Sequence, residues 1–227
     1  MPSVLISGAS RGLGLEFVKQ YAAEGWQVHA ACRDPAHAKG LQSIGGDLSV
    51  HKLEATEKAS LDALALAVKS VALDLMIANA GVQGPRGMTP ELVDRESWLE
   101  TLAVNTIAPV ALAGALRRNL EKGQQKKVVA ISSRLGSIAS NGTGGLYVYR
   151  SAKAALNAAW HSLAIDWRDA GMICVVLHPG WVATDMGGPS ADIQPPESVT
   201  GMRQVIAGLT PSASGRFFSY DGAEIPW

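Results

Sequence analysis

A short apolar run, Val4-Leu5-Ile6-Ser7, ends directly in Gly8-Ala9-Ser10-Arg11-Gly12-Leu13-Gly14, and a helix-periodic segment, Leu15 to Ala23, follows at once. A strand buried on both faces reads as a continuous apolar run. Strand, glycine turn and helix in that order open a βαβ unit, whose next strand lies parallel to the first. Glycines in such a turn let backbone N–H groups approach an anion at the helix N-terminus. The spacing is G-x-x-x-G-x-G, not G-x-G-x-x-G, and no Lys-Ser/Thr pair follows as in a nucleoside triphosphate loop. The stretch therefore favours a dinucleotide.

The same rhythm repeats down the chain. Further strand-like runs are expected at Gln27 to Cys32, Leu48 to Leu53, Leu73 to Ala78, Lys127 to Ser132, Ile173 to Leu177 and Arg216 to Ser219. Helix patterns are expected over Ala59 to Val68, Ser97 to Leu120, from Tyr149 through Trp167, and Ser198 to Leu209. Segments 83–90, 136–145 and 187–196 carry Gly, Pro, Ser and Asn and read as loops, the last as a mobile flap over a site. Alternating strands and helices predict an α/β chain with a parallel sheet, one domain over residues 1–227.

Composition narrows the function classes. Hydrophobic residues make up 47% and charged residues 18%, which suits a doubly covered sheet, and the formal net charge is zero. No run of Lys or Arg exceeds two residues, so the electrostatic footprint of a nucleic-acid or anionic-membrane binder is missing. Cys32 and Cys174 both fall in apolar runs and read as free buried thiols, and no apolar run is expected to span a bilayer. A cytoplasmic location is expected.

Several strand ends carry polar or small residues where open α/β sheets bind ligands. Arg33 ends the second strand; a cation there accommodates a ribose 2′-phosphate, whereas an acid such as Asp34 beside it suits a free 2′-hydroxyl. Arg11 adds a second cation, so NADP(H) is favoured and NAD(H) stays open. Glu54 ends the third strand, Asn79-Ala80-Gly81 the fourth and Ser133 the fifth. Asn105 lies inside a helix pattern with Pro109 four residues on, which deprives its carbonyl of the usual N–H partner. It is either a satisfied core amide or a water-holding residue. His178 at the sixth strand end has no partner in an H-x-x-x-H or Cys/His pattern and reads as structural.

Tyr149 and Lys153 stand four residues apart in a helix pattern, so their side chains share a face roughly 5–6 Å apart. An ammonium there lowers the cost of a phenolate and predicts a tyrosine tuned for general acid/base work. Tyr147, two residues earlier, points to another face.

Gly8-x-x-x-Gly12-x-Gly14, Asn79-Ala80-Gly81, Asn105, Ser133, Tyr149-x-x-x-Lys153 and Pro179-Gly180, in this order, resemble the short-chain dehydrogenase/reductase family along nearly the whole chain. Tyr147 to Ser151, His178 to Met186 and Asp221 to Trp227 look more narrowly like its C-factor and sniffer-type carbonyl reductase branch. The resemblance implies a Rossmann-type doubly wound sheet of about seven strands with helices on both faces. It implies hydride transfer between NADP(H), with NAD(H) possible, and a small or aromatic carbonyl or alcohol. Tyr149 would be the acid/base, Lys153 would tune it and hold the nicotinamide ribose, Ser133 would orient the carbonyl, and Asn105 would hold a relay water. Cofactor contacts are implied for Gly8, Ser10, Arg11, Gly12, Leu13 and Gly14, for Arg33, Glu54 and Ala55, for Asn79, Ala80 and Gly81, and for Pro179, Gly180, Val182 and Thr184. A homodimer or homotetramer through the helices bearing Asn105 and Tyr149 is also implied.

Two departures leave alternatives open. Ser133 precedes Tyr149 by sixteen residues, a longer loop than the family usually has, so Ser132 and Ser137 compete for its role. Glu54 stands where many relatives carry Asp. A second reading, a dinucleotide-binding signalling or regulatory protein with little turnover, follows from the C-factor likeness.

Overall fold

The computed structural model describes residues 1–227. The apolar runs become seven parallel strands, β1 (Ser3–Ser7), β2 (Gln27–Cys32), β3 (Leu48–Lys52), β4 (Leu75–Ala78), β5 (Lys127–Ile131), β6 (Ile173–His178) and β7 (Phe217–Ser219). They lie in the order β3-β2-β1-β4-β5-β6-β7. The winding direction reverses between β1 and β4, and such a reversal opens a crevice beyond the strands' carboxyl ends. The Rossmann-type doubly wound sheet read from the sequence is the fold.

Side chains alternate across this sheet, as the two-residue strand period requires. Leu5, Ala31, Met76, Val128 and Val176 face one helical layer, formed by α3 (Lys58–Ala67), α5 (Ala108–Lys122) and α6 (Tyr147–Asp166). Val4, Ile6, Val28, Ile77 and Val175 face α1 (Gly12–Ala23), the short α2 (Lys39–Gln42) and α7 (Pro195–Ala207). Trp160 on α6 and Phe17 on α1 are fully buried on opposite faces. Truncating either to Ala costs about 3–5 kcal/mol. The Trp160 indole N–H donates to the Val128 carbonyl at 3.3 Å, so its one polar atom is satisfied.

Beyond shifts of a few residues at other ends and the short α2, which no pattern announced, four elements differ from the sequence reading. Strand β4 begins two residues late because Asp74 turns to accept from the Ser3, Gln124 and Gln125 N–H groups. The helix expected over Ser97 to Leu120 is three pieces: α4 (Arg95–Leu102), a π turn (Ala103–Ile107) and α5. Pro109 has no N–H to close an α turn onto Asn105, and the wider π turn absorbs it. Helix α6 starts at Tyr147, and α7 starts at Pro195, inside the expected flap. What remains of the flap is pinned: the Ala183 N–H donates to the Ile193 carbonyl at 2.8 Å and the Ile193 N–H to the Trp181 carbonyl at 3.1 Å.

Against the expectation that no stretch is long and apolar enough to cross a bilayer, the continuous 28-residue helical stretch Arg95–Lys122 is. Here Leu112, Ala113, Leu116 and Leu120 on it pack into the sheet's core.

Candidate active site

The loop after β1 is held by groups from the end of β4. The Asn79 side-chain amide donates to the carbonyls of Ser7 (3.1 Å) and Gly8 (3.2 Å), while the Ser7 hydroxyl accepts from the N–H groups of Asn79 and Ala80. Asn79 thus ties neighbouring strand ends together, as its position suggested. Gly8 has φ +66°, and a Cβ there would lie 2.8 Å from the Ala80 Cα. A Cβ on Gly14 would fall on the Gly8 carbonyl oxygen and 2.6 Å from the Asn79 amide nitrogen. These two positions admit only glycine.

Helix α1 begins at Gly12 with no side-chain cap and no acid in its first turn. Its leading N–H groups and the positive end of its dipole are left for an anion, and the glycine cradle fits a pyrophosphate. At the end of β2, Asp34 turns away to His37, whose Nδ1 lies 2.6 Å from the carboxylate and whose backbone N–H also donates to it. Arg33 is exposed and makes no ion pair. Arg11 is engaged, its guanidinium 2.5 Å from the Asp185 carboxylate. Glu54 is partly buried and accepts from the Thr56 hydroxyl at 3.0 Å, while Ala55 packs against the core. Donor groups and cations are thus suited to a dinucleotide carrying an extra phosphate.

Across the crevice, α6 carries Tyr149 and Lys153 on one face. Lys153 is buried, its Nζ donates to the Ile131 carbonyl at 2.9 Å, and it lies 5.9 Å from the centroid of the Tyr149 ring. Burial pushes the Lys153 ammonium down to about 8. Burial also pushes the Tyr149 phenol up to about 12, with a hydrogen bond to Ser133 working the other way. The expected downward shift of Tyr149 is therefore reversed. Lys153 is drawn to the end of β5, and loss of water sets the direction of the Tyr149 shift. The phenol is a fully protonated acid at neutral pH.

The three candidate serines separate by their partners. The Ser132 hydroxyl donates to Asn157 at 2.7 Å, and the Ser137 hydroxyl donates to the Pro226 carbonyl at 2.6 Å. Ser133 accepts only from the Leu135 N–H, across a single 3₁₀ turn (Arg134–Gly136), and faces Tyr149. Gly136 packs on Lys153 so closely that a Cβ there would lie 2.8 Å from the Lys153 carbonyl carbon. This contact lets the long loop leave Ser133 next to the phenol.

Asn105 is fully buried, and its amide forms a closed pair with the Val82 backbone, accepting from the N–H and donating to the carbonyl at 2.8 Å each. Of its two sequence readings, the satisfied core amide is the one its side chain adopts. A Cβ on Gly81 would lie 3.2 Å from Asn105 Oδ1 and 3.7 Å from Lys153 Nζ, so the three residues converge. Gly180 has φ +85°, and a Cβ there would strike Ile193, which fits the flap over the Pro179-Gly180 turn. The Pro179 carbonyl accepts from Ser198 at 2.5 Å. Thr184 on the flap stands 3.6 Å from where a Gly12 Cβ would be. Val182 is buried and pairs with Ile193. His178 holds a buried Nδ1 without a partner, and burial, aided by the Arg134 charge, pushes it down to about 4. No group of three His, Cys, Asp or Glu could hold a metal ion.

Sequence reasoning missed the residues that reach the site from far along the chain. Val82 and Ile131 act through backbone groups, which carry no residue signature. Pro226 and Trp227 fasten the Ser137 loop: the Ala139 N–H donates to the Trp227 carbonyl at 2.9 Å, and the Trp227 ring stacks on Phe217. Asp185 was visible only as part of a family motif.

Comparison with known proteins agrees with this arrangement. The family model described as short chain dehydrogenase matches residues 2–194. The chain is similar to the C-signal of Myxococcus xanthus, 46% identical over 155 residues, which cover 68% of this chain and 93% of that protein. It is also similar to the 1-hydroxy-2-glutathionyl-2-methyl-3-butene dehydrogenase of Rhodococcus sp. (strain AD45), 32% identical over 237 residues and the full length of both. Among solved structures it is similar to the carbonyl reductase Sniffer of D. melanogaster, with TM-score 0.94, 35% identity and full coverage of both chains. The NADPH-bound carbonyl reductase from chicken fatty liver gives TM-score 0.93 and 36% identity, covering 100% of this chain and 99% of that one. A glycine cradle on β1, a Tyr-x-x-x-Lys pair on α6 and a matched family model over most of the chain lead to one conclusion: this protein belongs to the short-chain dehydrogenase/reductase family and is an NAD(P)-dependent enzyme of its carbonyl reductase-like, C-factor and sniffer-type branch.

Proposed function

We propose that the protein is an NADP(H)-dependent reductase of small or aromatic carbonyl compounds. The observation that carries this reading is geometric: Tyr149 and Lys153 share one face of α6 across the crevice from the glycine cradle, with Lys153 Nζ fixed on the Ile131 carbonyl 5.9 Å from the Tyr149 ring centroid. NADP(H) supplies the hydride when bound. Arg33, and Arg11 once released from Asp185, would hold its 2′-phosphate, the N–H groups of Gly12 and Leu13 with Ser10 would hold its pyrophosphate, and Glu54 and Ala55 would flank its adenine. Asn79, Ala80, Gly81, Pro179, Gly180, Val182 and Thr184 would border its ribose and nicotinamide.

Ser133 orients the substrate oxygen, and Tyr149 gives that oxygen its proton as the hydride arrives at carbon. A phenol held well above neutral is in the correct state for this step; the reverse oxidation needs it deprotonated. Lys153 holds a ribose hydroxyl and refills the tyrosine's proton. The Asn105 side chain is committed to Val82, so its main-chain carbonyl, deprived of its α-helical donor by Pro109, holds the relay water. Leu135, Trp181 and Met186 give the substrate side an apolar rim, Trp181 and Met186 being exposed there.

The NADPH-bound chicken relative supports the cofactor reading, as does the turn of Asp34 toward His37, which leaves Arg33 to an incoming phosphate. Cys32 and Cys174 are free and buried, the state a reducing compartment such as the cytoplasm maintains. Leu99 and Ile107 stay exposed on the α4–α5 helical stretch, an apolar surface suited to a homodimer or homotetramer. The C-signal likeness favours a second reading, a dinucleotide-binding regulatory protein with little turnover. A screen of aliphatic and aromatic carbonyls with NADPH, run on wild type and Tyr149→Phe, separates the two. Turnover by wild type that Tyr149→Phe abolishes supports the reductase; tight NADPH binding with no turnover on any substrate rejects it.

A further inference from the structure

Two cations stand where a ribose 2′-phosphate would be read, and their surroundings differ. Arg33 at the end of β2 has no ion pair, because its neighbour Asp34 is held by His37 through two contacts. Arg11, the residue that opens α1, is paired with Asp185 at 2.5 Å. Asp185 lies 174 residues away in sequence, on the flap between Trp181 and Ile193. That flap is folded on itself: the Gly187 N–H donates to the Thr184 hydroxyl at 3.2 Å, and the Trp181 indole donates to the Gly187 carbonyl at 2.9 Å. With Thr184 against Gly12, the flap places a carboxylate beside the cation of the phosphate loop.

A carboxylate and a phosphate ester each offer a guanidinium's N–H fork a pair of anionic oxygens and compete for it. We propose that Asp185 is a specificity-determining residue for the cofactor: by occupying Arg11 it weakens the hold on a 2′-phosphate and leaves Arg33 to supply most of the preference for NADP(H) over NAD(H). Both partners are largely exposed, 65% and 76%, so the exchange is cheap and reversible, and salt screens it. An incoming 2′-phosphate that captures Arg11 releases only the Asp185 carboxylate, because the flap itself stays pinned by the Ala183–Ile193 and Ile193–Trp181 backbone bonds.

The proposal rests on the NADP(H) reading above, and calorimetric titration with two adenosine fragments tests both. The probes are adenosine 2′,5′-bisphosphate and adenosine 5′-diphosphate; the proteins are wild type, Asp185→Asn, Asp185→Glu and the double variant Arg11→Ala/Asp185→Asn. Asp185→Asn is expected to bind the 2′-phosphorylated fragment roughly threefold to tenfold tighter at low salt, with the diphosphate changed by less than about twofold. Asp185→Glu is expected to match wild type. In the Arg11→Ala background the Asp185→Asn gain is expected to vanish. An unchanged ratio of the two affinities in Asp185→Asn, weaker binding of the 2′-phosphorylated fragment, or a gain that survives in the double variant each overturns the proposal. Where wild type prefers the 2′-phosphorylated fragment and Asp185→Asn leaves that preference unchanged, the proposal fails alone. Where neither protein distinguishes the fragments, the NADP(H) reading fails with it.

Discussion

Lys153 Nζ donates to the Ile131 carbonyl at 2.9 Å, so the ammonium of α6 is anchored to the end of β5, 5.9 Å from the centroid of the Tyr149 ring. The cost of burying that charge appears in its pKa of about 8. An unfolded lysine titrates at about 10.4, so between these values the unfolded chain binds more protons than the native one, and stability rises with pH.

The difference in unfolding free energy between wild type and Lys153→Met isolates this contribution. It should move in favour of wild type as pH rises through 8 toward 10, measured by urea melts at each pH. A flat difference across that window contradicts the assigned burial of the charge. Lys153→Met should be inactive as a reductase throughout.

Tyr149 has the opposite sign. Its phenol is raised to about 12 from an unfolded value of about 10, so its contribution to stability is complete below 10 and is lost as pH climbs toward 12. In catalysis, Tyr149→Phe removes the proton donor and should lower kcat with NADPH by about 10²–10⁴-fold. NADPH affinity, read by fluorescence titration, should change little. A Phe variant that keeps a tenth of wild-type kcat would place the acid elsewhere.

Gly14→Ala sets a Cβ on the Gly8 carbonyl oxygen and 2.6 Å from the Asn79 amide nitrogen, two groups fixed by hydrogen bonds. Rigid neighbours make overpacking costly, about 1–3 kcal/mol. Thermal melts should show the loss, and NADPH binding should fall by at least tenfold. Gly114→Ala, where a Cβ meets nothing within 4 Å in the interior of α5, is the control: it should leave NADPH binding unchanged and raise stability by about 0.5–1 kcal/mol through helix propensity.

Asn105→Ala breaks both bonds to the Val82 backbone and leaves a buried gap behind Gly81 and Lys153. The expected cost is about 1–3 kcal/mol in urea unfolding. Asn105→Asp keeps the acceptor but loses the donor to the Val82 carbonyl, so it should not restore wild-type stability.

Trp227→Ala removes the ring that stacks on Phe217 and loosens the C-terminal segment that ties down Ser137 and Ala139. The loop following Ser133 is the part affected. KM for a carbonyl substrate should rise severalfold, while NADPH affinity, set on the far side of the crevice, stays as in wild type.

The fold was legible where local pattern and tertiary demand coincide. Val4 to Ser7, Gln27 to Cys32 and Ile173 to Leu177 read as buried strands because a doubly covered strand needs apolar residues on both faces. Tyr149 and Lys153 were found as a pair because helical spacing is local. The break at Asn105 and Pro109 was foreseen as a missing hydrogen bond, but not as a π turn, since the outcome depended on how α4 and α5 dock on α6. The downward shift expected for Tyr149 was wrong for a similar reason: spacing gives proximity, whereas burial and the pull of Ile131 are set by the packed sheet.

By itself the sequence determined the order of strands and helices, the glycine cradle and the placing of Tyr149 and Lys153 on one helix face, all properties of short segments whose chemistry is complete within a few residues. Tertiary structure alone decided which serine faces Tyr149, that Asn105 closes on Val82, that Trp227 holds the Ser137 loop and that Asp185 occupies Arg11. Each of these joins groups far apart along the chain. Their geometry depends on the sheet order and on competition among many polar groups for the same partners, and no local pattern encodes the result.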